Sequence, residues 1–351
     1  KKMLRLESVA CKDWLTNKVD RSVTGKVAAQ QCCGSLQLPL QNLGAVAIDF
    51  KGEKGIAVSM GHAPAVALIN PAHGSMLSIA EALTNAVWAP YTHGLKGISL
   101  SANWMWPCKN KGEDARLYKA VEAASDFACR LGINIPTGKD SLSMTQKYPD
   151  GNVVYSPGTV IISAVGEVED VKKIVSPVLQ NESDTILLYI DFSSDTLKLG
   201  GSAYAQINNS LGKETPCIKD SAYFIKAFNT VQYLIKHKKI LAGHDVSTGG
   251  MITTLLEMCF VSPDVSLHVD VSIMPDKQLT KILFAENPAV IIQIEKNDKI
   301  LEYLRKEGIR FYEIAGLLNQ KIKQRMELVF KNKMLVFDIE EYRKIWFETS
   351  Y

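Results

Sequence analysis

The sequence predicts an α/β protein of two domains, and three observations carry that prediction. The chain has 351 residues, more than one ordinary domain. Short apolar runs of strand type alternate with longer stretches at helical spacing, and the alternation occurs twice. Between the two rounds, charge and turn residues cluster over 172–184 (Ser176, Pro177, Gln180, Asn181, Glu182, Ser183, Asp184). The expected domains are 1–176, with a linker-like start over 1–18, and 177–351.

In the first domain, 45–50 and 55–60 read as strands separated by the turn residues Lys51, Gly52, Glu53 and Lys54. Residues 75–87 have helical spacing, with Leu77, Ile79, Ala80, Leu83 and Ala86 apolar. A strand over 98–104 follows. Residues 113–131 form an amphipathic helix through Leu117, Val121, Ala124, Phe127, Ala128 and Leu131, and Gly132 is its C-terminal stop. Strands are expected at 133–135, followed by a turn at Pro136, Thr137 and Gly138, and at 159–168. In the second domain the expected strands are 185–190, 240–244, 289–294 and 310–318. Helices are expected at 221–237, 250–260 and 299–307, the last stopped by Gly308. A hairpin of 325–330 and 333–337 precedes a terminal helix from Glu340.

Composition narrows the function. Apolar residues make up 46% and charged residues 22%, a globular balance. No apolar run reaches the length of a membrane-spanning helix. The opening residues Lys1 to Arg5 have no apolar stretch behind them, so no signal peptide is expected. Net charge is +3, and the basic residues Lys321, Lys323, Arg325, Lys331 and Lys333 alternate with apolar ones. That pattern reads as the solvated face of strands rather than a nucleic-acid patch. Neither a membrane nor nucleic acid is an expected partner. Seven cysteines without a CxxC pair fit free thiols in a reducing cytoplasm. His62, His73, His93, His237, His244 and His268 show no metal-ligand spacing and read as separate structural or surface residues.

Six stretches hold more polar and glycine residues than a core needs: DRSVTG (20–25), QLPLQN (37–42), EALTN (81–85), SANWMWPCKNKGED (101–114), GKDSLSM (138–144) and GHDVSTGG (243–250). Glu81 and Asn85 stand at i and i+4, so on a helix they share one face. A carboxylate and an amide oxygen suit Mg²⁺ shared with phosphate; the plain alternative is a solvated helix face. The glycines of 243–250 let backbone approach a ligand at a helix N-terminus, although Ser247 or Thr248 can equally be an ordinary N-cap. In 138–144, Lys139 suits a phosphate, Asp140 a metal, and Ser141 and Ser143 anionic oxygens; Ser-Leu-Ser is also ordinary half-buried strand. Neither a Walker A nor a GxGxxG fingerprint occurs, so a nucleotide would be held by another fold. No serine sits in GxSxG.

Taken together, KVDRSVTG (18–25), LQLPLQN (36–42), AEALTN (80–85), LSANWMW (100–106), GEDARLY (112–118), IPTGKDSLSM (135–144), LGGSAYAQ (199–206), HDVSTGG (244–250) and IWFETSY (345–351) occur in order. In that order they resemble the second synthetase half of the large, single-chain phosphoribosylformylglycinamidine synthase family, over essentially the whole chain. The pair LSANWMW and IWFETSY sets it apart from selenophosphate synthetases and hydrogenase-maturation proteins.

The resemblance implies an α/β (α+β) fold: an AIR-synthetase-like N-terminal barrel-forming domain, then an AIR-synthetase-like C-terminal α/β domain. It implies part of an ATP-dependent ligase of purine biosynthesis. That enzyme turns formylglycinamide ribonucleotide, glutamine and ATP into formylglycinamidine ribonucleotide. The implied partners are that substrate, the nucleotide, and the first synthetase half and glutaminase domain of the same polypeptide. The beginning at Lys1 and end at Tyr351 are those expected of a piece of a longer protein. A nucleotide that is not turned over, ATP or ADP, would be held by Lys12, Gln41 and Ser247, with Mg²⁺ on Asn42, Glu81, Asn85 and Asp245. The family usually has aspartate at Asn42, so one negative charge is lost and metal affinity should drop. It often has glycine at Ala80. Asn103, Asp140, Ser141 and Ser143 would contact substrate at a catalytic site facing this half, with no catalytic residue in the chain itself. The alternatives are a non-catalytic nucleotide-binding structural module, or another member of the AIR-synthetase superfamily. Alone, the chain is expected to be inactive and to self-pair as a homodimer.

Overall fold

The computed structural model describes residues 1–18, 25–318 and 323–349. Most of the motif at 18–25, the basic residue Lys321 and the last two residues of IWFETSY lie outside the described residues.

The first domain runs through β1 (Val27–Ala29), β2 (Gly44–Ala47), β3 (Gly55–Gly61), β4 (Ile98–Met105), β5 (Asn134–Ser141), β6 (Thr145–Lys147), β7 (Val153–Tyr155) and β8 (Thr159–Val168). Its helices are α1 (Asp13–Lys18), α2 (Pro64–Ile69), α3 (Pro71–Ala86) and α4 (Glu113–Leu131). Six strands form one sheet in the order β1-β2-β3-β8-β4-β5, in which β4 and β5 are parallel and the other pairs antiparallel. The period-two alternation of strands gives this sheet two unlike faces. Ala45, Ala57, Leu100, Ala102, Ile162 and Ala164 are buried beneath α3 and α4. Val46, Ile56, Val58, Met60 and Val165 are exposed on the other face.

Local chemistry explains the boundaries. α3 starts at Pro71, four residues before the expected helix. Asn70 caps it by accepting from the Ala72 and His73 amides, and proline fits the first helical position. Gly132, at φ 69°, ends α4 as expected. The fourth strand of the sequence reading, 133–135, is longer than expected. The chain does not turn at Gly138 but continues as β5 to Ser141, paired with β4. A Cβ on Gly138 would meet the Ala102 carbonyl at 2.3 Å, so the glycine permits a strand contact rather than a turn.

The second domain contains β9 (Thr185–Asp191), β10 (Ala242–Val246), β11 (Leu267–Asp270), β12 (Ala289–Glu295), β13 (Phe311–Leu317), β14 (Arg325–Phe330) and β15 (Lys333–Asp338). Its helices are α5 (Ala203–Ile207), α6 (Ser221–Lys236), α7 (Gly250–Phe260), α8 (Leu279–Phe284), α9 (Asp298–Lys306) and α10 (Ile339–Glu348). The sheet order is β10-β12-β9-β13-β11-β14-β15, with β11 and β14 parallel. Every residue of β9 is buried, because both faces are covered. Ile186, Leu188 and Ile190 join the core that continues from the first domain through α4 and α6. Leu187 and Tyr189 face a second core with α7 and Trp346. The first residues of the chain belong to this second core. Met3, Leu4 and Val9 are buried in it, and Trp346 Nε1 donates to the Val9 carbonyl at 2.8 Å. No disulfide links the seven cysteines. Among the described residues no helix is long and apolar enough to cross a membrane.

Candidate functional site

A cleft of about 370 Å³ opens where the two domains meet, and Lys12, Gln41, Asn42, Glu81, Asn85, Asp245 and Ser247 all line it. Four separate stretches supply them. Lys12 precedes α1, and Gln41 and Asn42 precede β2. Glu81 and Asn85 lie one turn apart on α3, as their spacing requires. Asp245 is in β10 and Ser247 immediately follows it.

Hydrogen bonds fix most of these groups. The Ser247 hydroxyl donates to Glu81 Oε1 at 2.8 Å, joining the two domains, and the His62 amide donates to Glu81 Oε2 at 2.9 Å. Ser247 is therefore not a helix cap. α7 is preceded instead by Gly249 at φ 95°, a backbone state that favours glycine. Asn85 Nδ2 donates to the Met60 carbonyl at 3.3 Å. The Lys12 ammonium donates to the carbonyls of Glu7 and Ala10, and burial pushes its pKa down. Two oxygens remain without partners: Gln41 Oε1 and Asp245 Oδ2 are both buried.

His244, read from sequence as a separate residue, lies at the centre of this cluster. Its Nδ1 donates to Asn42 Oδ1 and its Nε2 to Glu257 Oε2, the latter at 3.2 Å. Both ring nitrogens face acceptors, an arrangement that the protonated ring satisfies in full. Burial alone would lower its pKa, but the Glu257 bond and the charges of Asp245 and Glu257 raise it overall. Asn42 Nδ2 also donates to the Gly243 carbonyl at 3.1 Å, so both ends of that amide are engaged. Burial pushes the Asp245 carboxyl up to about 6. Glu81 and Glu257 add to the rise, against the pull of His244.

Sequence reasoning also missed Glu257 and Glu286. Glu257 is a carboxylate within the otherwise apolar helix α7, and that isolation was the available signal. Glu286 accepts from the Gly249 and Ala203 amides at 2.7 and 2.8 Å. Burial pushes its carboxyl up to about 7. It lines a smaller cavity of about 160 Å³ that shares Glu81, His62, Ser247 and Thr248 with the cleft.

On its other side the cleft shares Lys12, Pro39, Gln41 and Asn42 with a groove of about 670 Å³. Val46, Ile56, Val58 and Met60 line that groove. A charged cleft beside an apolar trough suits a ligand with an anionic end and a flat apolar end. The free cleft donors are oxygens, which suit a hard cation. Among the described residues no group of three or more His, Cys, Asp and Glu could hold a metal alone. A cation here would therefore complete its shell with ligand oxygens.

Asn103, Asp140, Ser141 and Ser143 lie elsewhere, on β4, β5 and the turn after it. Asn103 pairs with Lys139 across the two strands. Asn103 Oδ1 is buried without a partner, and Lys139 Nζ donates to Ser141 Oγ at 2.7 Å. Asp140 and Ser143 are exposed at the sheet edge.

Two family models match the chain: the FGAR-AT PurM_N-like domain over 11–167, and the AIR synthase related protein, C-terminal domain, over 182–324. The chain is 38% identical over 355 residues to phosphoribosylformylglycinamidine synthase of Homo sapiens, covering 100% of this chain and 26% of that protein. It spans about a quarter of the length of the curated relatives it matches. Among solved structures it is similar to Thermotoga maritima PurL complexed with FGAR, with TM-score 0.69 and 12% identity over 97% of this chain and 52% of that one. The same protein complexed with ATP gives TM-score 0.63 and 12% identity over 86% and 46%. At these identities the structural likeness shows a common fold.

Proposed function

The chain belongs to the phosphoribosylformylglycinamidine synthase family, and on that premise we propose that it is one synthetase half of an ATP-dependent ligase of purine biosynthesis. The reaction joins nitrogen from glutamine to formylglycinamide ribonucleotide and yields the amidine. In this half the interdomain cleft holds ATP or ADP with Mg²⁺ and does not turn the nucleotide over. The relative complexed with ATP and that complexed with FGAR support the two ligand classes.

One observation carries the reading: seven residues from four distant stretches line one cleft in which a buried Asp245 oxygen lacks a partner. A buried, unpartnered carboxylate oxygen is costly unless a ligand completes it. Glu81, Asn85 and Asp245 would hold Mg²⁺, which when bound offsets phosphate charge. Asn42, engaged with His244 and Gly243, would act by fixing the His244 ring beside Asp245 rather than by direct ligation. Lys12 and Ser247 would orient phosphate oxygens. The free Gln41 Oε1 would accept a base N–H at the mouth of the apolar groove.

Asn103, Asp140, Ser141 and Ser143 would contact the substrate on a site completed by the other synthetase half of the same polypeptide. The exposed row Val46, Ile56, Val58, Met60 and Val165 gives that half, or a second copy of the isolated chain, a face to cover. The cytoplasm is the compartment that fits a purine-synthesis enzyme whose cysteines form no disulfide. Mass spectrometry of small molecules released on denaturing the purified chain should find an adenine nucleotide near one per chain. The isolated chain with ammonia and MgATP should form no amidine. Steady product formation, or no bound or bindable nucleotide, would overturn the assignment.

A further inference from the structure

The two halves of the cleft are carried by different domains, and besides the Ser247–Glu81 bond a buried contact through Gln232 joins them. α3, with Glu81 and Asn85, ends at Ala86, and the chain leaves through Val87, Trp88, Ala89, Pro90 and Tyr91. Gln232 reaches this exit from α6 in the other domain, 3% exposed. Its Nε2 donates to the Val87 and Ala89 carbonyls at 2.6 and 2.8 Å, and its Oε1 accepts from the Tyr91 amide at 2.9 Å. The amide's two hydrogens and its oxygen are all used.

Those bonds hold Trp88, fully buried, against Gly243. A Cβ on Gly243 would lie 2.0 Å from Trp88 Cζ3, so only glycine admits the ring. The Gly243 amide donates to the Ser176 carbonyl at 2.9 Å, and the Val175 amide donates to the Trp88 carbonyl at 3.0 Å. Its own carbonyl accepts from Asn42. Gly243 is therefore gripped on all sides, two residues before Asp245.

We propose that Gln232, Trp88 and Gly243 form an interdomain clamp that sets the separation between the Glu81–Asn85 face of α3 and Asp245 in β10, and that Gln232 is thereby a positioning residue for nucleotide binding. The clamp rests on the nucleotide reading for its functional consequence but not for its mechanical one. The hydrogen bonds of Gln232 go to Val87, Ala89 and Tyr91, none of which lines the cleft, so its effect on the cleft passes through the exit of α3 and Trp88.

The test uses the full chain with Gln232→Met, which keeps the volume and removes the bonds. Lys236→Ala is the control. It breaks the Lys236–Glu169 ion pair, a second interdomain contact, 3.0 Å long. MgADP affinity by titration calorimetry, well below the melting temperature, should weaken at least tenfold in Gln232→Met and stay within twofold in the control. Amide hydrogen exchange should accelerate tenfold or more over 243–249 and 87–91, with 185–191 unchanged. If wild type binds no nucleotide, the nucleotide reading fails while the exchange experiment still decides the clamp. Wild-type affinity and wild-type exchange in Gln232→Met would overturn it. Should that variant fail to fold, the wild type alone is informative. The 87–91 and 243–246 amides should open as one cooperative unit, and separate opening energies would sink the proposal.

Discussion

The interdomain cleft and the open edge of the six-stranded sheet both contain residues that sequence motifs single out, yet they are built differently. In the cleft, Asp245 is 4% exposed, Glu81 is bonded through both oxygens, and His244 is bracketed by Asn42 and Glu257. At the edge, Asp140 and Ser143 face solvent, and the main side-chain link is the bond from Lys139 to Ser141. The difference teaches where this chain itself supplies partners for its charged groups. A charged group can be buried only where its partners are already in place. The cleft has them, whereas at the edge Asp140 and Ser143 are left to solvent.

Several substitutions should separate the two regions, and the largest effect belongs to the cleft's foundation. Trp88→Ala empties a fully buried site between the domains and should cost about 3–5 kcal/mol in urea unfolding. Trp104→Ala, on the half-exposed part of β4, should cost visibly less. Equal losses would mean that the cleft is no better supported than the edge.

Next comes ligand binding. MgADP at a hundred times its Kd should stabilise the wild type by about 2.7 kcal/mol, a shift of a few degrees for a chain of this size. Asp245→Ala should abolish the shift in a thermal melt, and Asp140→Ala should keep it. The reverse pattern would move the nucleotide to the sheet edge.

A pH dependence should follow from Glu286, whose carboxyl is held up to about 7 against an ordinary 4.5. A raised folded pKa means that the folded chain holds this proton more tightly than the unfolded chain does. The resulting stability is full below the ordinary value and is lost as pH rises through about 7. Glu286→Gln, which has no proton to lose, should therefore be the more stable protein at pH 8 by roughly 1–3 kcal/mol. The two should converge near pH 4. Parallel stability curves would show that Glu286 is not held protonated by burial.

The smallest effect is expected at the edge. Ser141→Ala should change the stability of the chain by less than about 0.5 kcal/mol and leave the MgADP shift unaltered. In the complete ligase the same change should lower amidine formation. An unchanged rate there would remove Ser141 from the substrate site.

Much of this protein was legible before folding. Gly132 marks a helix end by backbone chemistry that operates within a few residues, and Asn70-Pro71 does the same at a helix start, although apolar spacing alone places that start at 75. The alternation over 55–60 separates a buried row from an exposed one. Glu81 and Asn85 share a face because helical geometry gives them no choice. Other features were read wrongly for an equally local reason. Gly138 looked like a turn residue, since sequence does not tell whether a glycine bends a chain or admits a neighbouring strand. His244 looked solitary because Asn42 is 202 residues before it.

The sequence by itself determined the two α/β domains, the motifs and the family, because periodicity, capping and motif order are properties of contiguous residues. Only the tertiary structure decided that Asn42, His244 and Glu257 form one chain of bonds, and that Gln232 grips the exit of α3. The same packing left one oxygen of Asp245 without a partner. Burial and hydrogen-bond completion depend on which distant segments pack together, and no local pattern encodes that pairing.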